Sequence, residues 1–285
     1  MSSGAKLEVL LAGLKFGEGP RWHDGRLWFA DFYSHRVATV GLDGRDETIV
    51  EVPQRPSGLG WTPAGELLVV SMLDRRVLRF DGKALHLHAD LSALAGGLCN
   101  DMVVDAAGRA YVGNFGYDRH NNAPPKNTRI IRVDPGGGNA AFVGDELHFP
   151  NGTVITPDSR TLIVAETFAH QLTAFDVAAD GGLGNRRLFA ALPGVFPDGI
   201  CLDAEGAIWV ADARGHHVIR VLPGGRIAQT IPTAGDRCSF ACMLGGPDRR
   251  TLFVITNTGS GPKMAEKSDG RIEIVRVDVP GAGLP

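Results

Sequence analysis

At 285 residues, with 44% hydrophobic and 21% charged residues, the chain has the composition of a folded globular protein, which excludes a largely disordered one. The formal net charge is only −3 and no cluster of Lys and Arg could follow a phosphate backbone, so we expect no nucleic-acid partner. No stretch approaches 18 continuous apolar residues, and residues 1–6 lack the apolar segment of a signal peptide. We therefore expect a cytoplasmic protein without a membrane partner.

Many short strands joined by tight turns are predicted along the whole chain. Thirty-eight glycines and 17 prolines separate short apolar runs, and no long stretch has the period of a helix. The first strand candidate lies near Val9. Six copies of one unit follow, and each copy contains a short apolar strand. These strands are predicted at residues 27–30, 67–70, 110–113, 162–165, 208–210 and 252–255.

Each copy opens on a short phrase with one residue at a corresponding place, which we call the anchor position. The six anchors are Glu18, Ser57, Asn100, Asn151, Asp198 and Phe240. They are separated by 39, 43, 51, 47 and 42 residues, which is the length of a four-stranded propeller blade. The sequence therefore predicts an all-β, six-bladed β-propeller that occupies residues 1–285 as a single domain. We expect the strand near Val9 to pair with the last copy, because an open ring would leave a strand edge unpaired.

The innermost strands of a propeller converge on a central channel, so the anchors should face one another across it. Four anchors carry the oxygen donors that a hard divalent cation prefers: Glu18, Asn100, Asn151 and Asp198. The two carboxylates would balance a dication, and no Cys or His lies at an anchor to favour a softer metal. The set fits calcium best, although such an oxygen site could also accept zinc, manganese or magnesium.

A simpler explanation of Asn151-Gly152 and Asp198-Gly199 is that they are turns, because Asn and Asp tolerate left-handed backbone. Glu is a poor turn former, however, and Glu18 lies at the corresponding position of the first copy. The register of four donors therefore favours a metal site. Beside such a site, Asp198 is the candidate catalytic base, since calcium acidifies water less than zinc does.

Further polar groups are expected near the channel mouth. Asn114 ends an apolar strand and is a candidate substrate contact there. The insert at residues 117–128 either shapes a substrate entrance or forms a surface loop. His120, within this insert, is interpreted as a surface group.

The sequence resembles the gluconolactonase family that includes senescence marker protein (regucalcin) and the luciferin-regenerating enzyme. The phrases that match are Gly17-Glu18-Gly19-Pro20, Asn100-Asp101 with 105–109, Phe149-Pro150-Asn151-Gly152 and Pro197-Asp198-Gly199. The resemblance implies a six-bladed propeller with one catalytic divalent cation in its channel. It implies that Glu18, Asn151 and Asp198 bind the cation and that Asp198 is the base. Asn100 would contact the substrate and, as in related phosphotriesterase propellers, the cation itself.

One position departs from the family pattern. Sugar lactonases of this family commonly have Arg two residues before the Asn of the third copy, where this chain has Leu98. An apolar side chain at this substrate position suits a less hydroxylated substrate. The leading hypothesis is therefore a metal-dependent hydrolase of a lactone or similar small ester. Two alternatives stay open: a phosphotriesterase-type hydrolase on the same site, and a non-catalytic propeller that binds a partner and keeps a structural cation. The sequence does not determine the oligomeric state.

Overall fold

The computed structural model describes residues 6–283. Residues 1–5 and 284–285 lie outside the described part, and with them most of the segment in which no signal peptide is predicted. The described chain forms 24 β-strands in six sheets of four, each strand antiparallel to its neighbours. The six-bladed β-propeller predicted from the repeats is confirmed.

The strands are numbered in chain order, and five blades consist of four consecutive strands. Blade 1 contains β2 (Gly17–His23), β3 (Arg26–Asp31), β4 (Arg36–Val40) and β5 (Asp46–Glu51). Blade 2 contains β6 (Pro56–Trp61), β7 (Leu67–Ser71), β8 (Arg76–Phe80) and β9 (Leu85–Asp90). Blade 3 contains β10 (Cys99–Val104), β11 (Ala110–Asn114), β12 (Thr128–Val133) and β13 (Ala140–Leu147). Blade 4 contains β14 (Pro150–Ile155), β15 (Thr161–Glu166), β16 (Gln171–Val177) and β17 (Leu183–Ala191). Blade 5 contains β18 (Pro197–Leu202), β19 (Ile208–Asp212), β20 (His217–Val221) and β21 (Ile227–Pro232).

Blade 6 closes the ring with strands from both ends of the chain. It contains β22 (Cys238–Gly245), β23 (Thr251–Asn257), β24 (Gly270–Arg276) and β1 (Glu8–Leu14). Strand β1 pairs antiparallel with β24, with Val9 opposite Glu273, which confirms the predicted closure. The first strand of every blade also contacts the first strands of both neighbouring blades, so β2, β6, β10, β14, β18 and β22 form an unbroken inner ring.

The burial of each strand follows from its distance to the axis. Every residue of β7, β11, β19 and β23 is buried, because the second strand of a blade is covered on both faces by neighbouring blades. These strands are the continuous apolar runs of the sequence. In the outermost strands β5 and β17, most residues are exposed.

Large side chains fill the spaces between the blades. Trp209, Tyr111, Phe29, Phe175 and Phe253 are each at most 1% exposed. Burying a side chain of Phe size stabilises the fold by roughly 1.5–3 kcal/mol, so these wedges hold adjacent blades together. Four 3-10 helices lie in the connections, at Phe32–Ser34, Arg119–Asn121, Thr167–Ala169 and Pro262–Glu266. No helix in residues 6–283 is long and apolar enough to cross a membrane.

Candidate functional site

The anchor residues all lie at the start of innermost strands. Glu18, Ser57, Asn100, Asn151 and Asp198 are each the second residue of their strand, and Phe240 is the third residue of β22. The pairing of the first and second strand shifts register immediately at the anchor in all six blades. A β-bulge of this kind turns a side chain away from the regular alternation of the strand. The anchors therefore point to the axis for a structural reason that repeats in each blade.

The glycines that follow two anchors allow neighbouring blades to approach closely. A Cβ atom on Gly152 would lie 2.4 Å from the carbonyl oxygen of Asp198, and one on Gly199 would lie 2.6 Å from Cα of Ala241. Both glycines are inside strands. The Asn-Gly and Asp-Gly pairs are thus points of backbone contact within the inner ring, which corrects their interpretation as turns.

A chain of hydrogen bonds connects the anchors of blades 2, 3 and 4. The Ser57 hydroxyl donates to Oδ1 of Asn100 (3.2 Å), and Nδ2 of Asn100 donates to Oδ1 of Asn151 (2.8 Å). Nδ2 of Asn151 in turn donates to the Thr167 hydroxyl (3.2 Å), which donates to the carbonyl of Pro197 (2.8 Å). The two amides are held in fixed orientations by these bonds.

We call the place where Glu18, Asn100, Asn151 and Asp198 meet the floor of the site. Two carboxyl groups, those of Glu18 and Asp198, lie there, and little in the protein stabilises their ionised forms. Burial, followed by the negative charge of Asp101, raises the pKa of Asp198 to about 8. Burial, followed by the charge of Asp198, raises the pKa of Glu18 well above its usual range. Glu18 receives one hydrogen bond, from the backbone N–H of Gly19 (3.1 Å). The ionised forms of both groups are destabilised by the protein alone, so each favours a proton or a cation.

Asp101, next to the Asn100 anchor, differs from Glu18 and Asp198 because the protein stabilises its charge. Its carboxylate accepts hydrogen bonds from Nη2 of Arg21 (3.0 Å), from the backbone N–H of Met102 (2.8 Å) and from that of Thr153 (3.0 Å). Arg21 is 4% exposed and also donates to the carbonyl of Met102. Neither Arg21 nor Asp101 was identified as important from the sequence. The only available signal was the position of each residue within a repeated phrase.

The donors at the floor fit a hard divalent cation. Two buried carboxylates and two oriented amides supply oxygen ligands and a formal charge of the size that a dication would balance. Within residues 6–283, no group of three or more His, Cys, Asp and Glu side chains is arranged to hold a metal ion. The set here has two acidic members and two amides, so its affinity would depend on the amide oxygens as well as on the carboxylates.

Above this floor lies a cavity of about 170 Å³ that we call the axial cavity. Glu18, Asn100, Asn151 and Asp198 all line it, together with Thr167. Its apolar wall is unusually aromatic. The wall consists of Phe16, Phe32, Tyr33, Met72, Phe115, Phe149, Phe168, Phe196 and Phe240. A site with an apolar wall and a few convergent polar groups is typical of small-molecule binding.

Three arginines complete the lining, and we call them the rim arginines: Arg55, Arg119 and Arg214. Arg55 is half-buried, whereas Arg119 and Arg214 are exposed. Arg119 belongs to the insert at residues 117–128, and its neighbour His120 also lines the cavity. Of the two alternatives for the insert, this geometry favours the substrate entrance. The sequence carried no repeated signal for the rim arginines, since they occupy unrelated positions in blades 2, 3 and 5.

Leu98 and Asn114, the other predicted substrate contacts, are not among the residues that line the axial cavity. Leu98 packs against the hydrophobic core. Asn114 is fully buried, and its side chain donates to the carbonyl of Arg129 (3.2 Å) and accepts from Gly116 N–H (3.0 Å) and the Thr128 hydroxyl (2.9 Å). These bonds join the two ends of the insert, so the geometry gives Asn114 a positioning role and gives its direct contact with substrate no support.

A larger cavity of about 610 Å³ lies between blades 4 and 5, where Thr156, Ile163, Leu202 and Asp203 are among the lining residues. None of the six anchors lines it. Asp203 is already paired with Arg220 (2.6 Å) and receives hydrogen bonds from the backbone N–H groups of Glu205 and Ala207. The larger cavity therefore offers little unused polar chemistry, and the axial cavity is the better candidate site.

Comparison with known proteins adds independent findings. A family model described as "SMP-30/Gluconolactonase/LRE-like region" matches residues 16–258. The chain is 29% identical over 283 residues to a 6-deoxy-6-sulfogluconolactonase of Pseudomonas putida, with 94% of each chain covered. It is 27% identical over 294 residues to pentonolactonase XacC of Haloferax volcanii, covering 97% of this chain and 95% of the relative. The crystal structure of a calcium-binding protein, regucalcin, from Agrobacterium tumefaciens superposes with a TM-score of 0.82 at 24% identity, covering 99% and 96% of the two chains.

Proposed function

Since the chain belongs to the SMP-30/Gluconolactonase/LRE-like family, as its motifs predicted, we propose that it is a lactonase that works with one divalent cation, calcium in the first instance. The substrate is a small lactone whose ring opens to a hydroxy acid. The lactonase names of the relatives from Pseudomonas putida and Haloferax volcanii support this class of reaction.

One observation carries the proposal: four oxygen-donor side chains from four separate blades meet at the floor of one cavity. They are Glu18, Asn100, Asn151 and Asp198. In this proposal Glu18, Asn151 and Asp198 hold the cation, and Asn100 reaches it or the substrate. The raised pKa values of Glu18 and Asp198 support the assignment, because burial of two carboxylates without a cation is unfavourable.

When bound, the cation supplies Lewis acidity to the carbonyl of the lactone. Asp198 is the proposed base. Its carboxylate accepts a proton from the attacking water, while the water oxygen bonds to the carbonyl carbon and the ring C–O bond breaks. The ring oxygen takes up a proton and becomes the hydroxyl of the product. Asn100, fixed by Ser57 and Asn151, orients the substrate.

The apolar wall supports a substrate with fewer hydroxyl groups than a sugar lactone. Nine of the lining side chains are aromatic or Met, and only Tyr33 among them carries a hydroxyl. A sugar hydroxyl placed against such a wall would lose its bonds to water without replacement, which costs about 1–3 kcal/mol for each buried group. In this proposal the apolar wall, and not Leu98, provides the low polarity that favours a less hydroxylated substrate.

The test is turnover of a substrate panel before and after chelation, with metal added back. The panel contains alkyl- and aryl-substituted lactones, sugar lactones and a phosphotriester. We expect hydrolysis of the less hydroxylated lactones, its loss with EDTA, and its recovery with calcium. Preference for the phosphotriester would replace the lactonase proposal by a phosphotriesterase. Calcium binding without any turnover would favour a non-catalytic propeller. Full activity in EDTA would refute the dependence of the activity on a divalent cation. Magnesium, manganese and zinc in the add-back series test the choice of cation.

A further inference from the structure

The rim arginines approach the axial cavity from three different blades. Arg55 immediately precedes β6, Arg119 lies in the 3-10 helix Arg119–Asn121, and Arg214 follows β19. Each guanidinium lies over an aromatic ring of the apolar wall. Arg55 is 4.7 Å from the Tyr33 ring centre, Arg119 is 5.4 Å from that of Phe149, and Arg214 is 4.2 Å from that of Phe196. Stacking of this kind fixes the plane of a guanidinium and leaves its N–H edge available.

None of the rim arginines has an acidic partner within residues 6–283. Arginines on the outer strands behave differently. Arg79, Arg187 and Arg276, for example, each contact a carboxylate. Nε of Arg55 is also buried without a hydrogen-bond partner in the described chain. The positive charges at the mouth are therefore not balanced by the protein.

The acidic groups that line the cavity do not remove this imbalance. They are Glu18 and Asp198, which lie at the floor and which the proposed cation would neutralise. Arg119 and these two carboxyl groups line the same cavity. Arg55 and Arg119 also act together on His120, whose pKa is lowered first by burial and then by these two charges. Arg55, Arg119 and Arg214 line one cavity, so their three positive charges share its mouth.

Stacking on an aromatic ring would be a sufficient reason for a single arginine at the cavity. Such stacking does not require the N–H groups of the guanidinium to be without a partner. Three stacked arginines around one small cavity, with no carboxylate between them, instead form a site for an anion. Arginine is suited to this task because its fork of N–H groups binds carboxylate, sulfonate or phosphate oxygens in pairs.

We propose that the substrate is an anionic lactone: its ring lies at the floor, its apolar body lies against the aromatic wall, and its carboxylate, sulfonate or phosphate group is held by Arg55, Arg119 and Arg214. The inference rests on the proposed lactonase function and specifies its substrate class. The rim arginines act as specificity-determining residues, because they contact a part of the substrate that does not react.

The experiment compares two lactones of nearly equal shape, 4-(5-oxotetrahydrofuran-2-yl)benzoate and the corresponding benzamide. We expect kcat/KM to be at least tenfold higher for the carboxylate. Arg55→Met, Arg119→Met and Arg214→Met should each lower kcat/KM for the carboxylate by about tenfold through KM, because one charge-assisted hydrogen bond is lost, and should leave the amide nearly unchanged. Arg119→Lys should keep part of the preference, since it keeps the charge. Raising the salt concentration should weaken the preference, because two of the three arginines are exposed.

Arg276→Met is the matched control, because Arg276 lies on β24 and pairs with Asp248 away from the cavity. Arg276→Met should leave kcat/KM unchanged for both the carboxylate and the amide. Equal or better hydrolysis of the amide by the wild-type protein would overturn the anionic substrate and leave the lactonase intact. If neither lactone is hydrolysed, calorimetric binding of the non-hydrolysable 4-(tetrahydrofuran-2-yl)benzoate and its amide decides. If the carboxylate binds more tightly than the amide and Arg119→Met abolishes this selectivity, the anion site is supported and the lactonase function is not. If both compounds bind equally, the anion site and the lactonase function are both rejected.

Discussion

Asp101 and Asp198 are equally exposed, at 8% each, and both lie near the axis on innermost strands, yet the fold treats them in opposite ways. Asp101 receives three N–H donors, including the Arg21 guanidinium. The pKa of the Asp198 carboxyl is raised to about 8, chiefly by burial and then by the charge of Asp101 itself, and the neighbouring Asn151 lowers this pKa only slightly. Hydrogen bonds and an ion pair within the chain therefore stabilise the buried Asp101 carboxylate, whereas the carboxylates of Asp198 and its neighbour Glu18 need a ligand to stabilise their charge. This separates the carboxylate that stabilises the site from the carboxylates that we expect to perform its chemistry.

The largest expected effect is that of Asp198→Asn on turnover. Removing a general base that also binds the cation should lower kcat on the best lactone by about 10²–10⁴-fold. The folded state should be retained, because Asn has nearly the same shape and removes a poorly compensated buried charge. The measurements are kcat at saturating calcium, bound calcium, and the midpoint of thermal unfolding. Asp24→Asn, an exposed position, is the control. Full turnover of Asp198→Asn with calcium still bound would refute the role of Asp198.

Next in size is the loss of stability on removing the partner of Asp101. Arg21→Met leaves the Asp101 carboxylate buried and without its cation, which should lower the free energy of unfolding by about 3–5 kcal/mol. The measurement is urea unfolding at saturating calcium. Arg21→Met combined with Asp101→Asn should recover part of the loss, because the charge is then absent. The exposed pair of Arg276 and Asp248 supplies the control Arg276→Met, for which no resolvable change is expected. An Arg21→Met protein as stable as wild type would mean that Asp101 is not held by this ion pair.

An effect of similar size concerns pH in the absence of metal. The folded-state pKa of Asp198, about 8, is above the unfolded value near 3.9, so the folded protein binds this proton more tightly than the unfolded chain does. The resulting stabilisation is fully present below about pH 3.9 and is lost as the pH rises to about 8. In EDTA, the free energy of unfolding should therefore fall by up to about 1.4 kcal/mol for each pH unit between 5 and 8 relative to Asp198→Asn.

Urea unfolding of wild type and Asp198→Asn at matched pH measures this contribution together with the part of the Glu18 shift that depends on the Asp198 charge. Calcium should flatten the difference, because a bound cation replaces the proton. If the two proteins showed the same pH dependence in EDTA, the pKa of Asp198 would not be raised in the folded state, and the contrast with the hydrogen-bonded Asp101 would disappear.

The smallest expected effect tests whether Asn114 belongs with Asp101, as a buried group that the chain satisfies. Asn114→Ala removes three hydrogen bonds and leaves the Thr128 and Arg129 groups without a partner, so it should destabilise the protein by about 1–3 kcal/mol. The calcium-induced rise in the midpoint of thermal unfolding should remain. Asn100→Ala is the matched comparison, since we expect it to reduce activity and the calcium response. Loss of the calcium response in Asn114→Ala would show that this residue belongs to the site.

The sequence alone was sufficient for the ring and for the centre of the site. Strand periodicity and turn residues are local properties, and a repeat of about 40 residues places corresponding residues at the same point of each blade. For this reason Glu18, Asn100, Asn151 and Asp198 could be expected to converge before any coordinates were known. The closure of the ring by the strand near Val9 could be expected as well, because an unpaired strand edge is unfavourable.

Only the tertiary structure decided which other residues join that centre. Leu98 was chosen by comparison with the family pattern and Asn114 because it ends an apolar strand. Leu98, however, packs into the core, and hydrogen bonds from the two ends of the insert occupy the Asn114 side chain. The rim arginines come from loops that share no repeat position, and the Arg21–Asp101 pair joins blades 1 and 3. Loop conformation and side-chain pairing between blades depend on contacts between residues distant in sequence. A local pattern carries no information about such contacts, so the polar floor was predictable and the charge around its mouth was not.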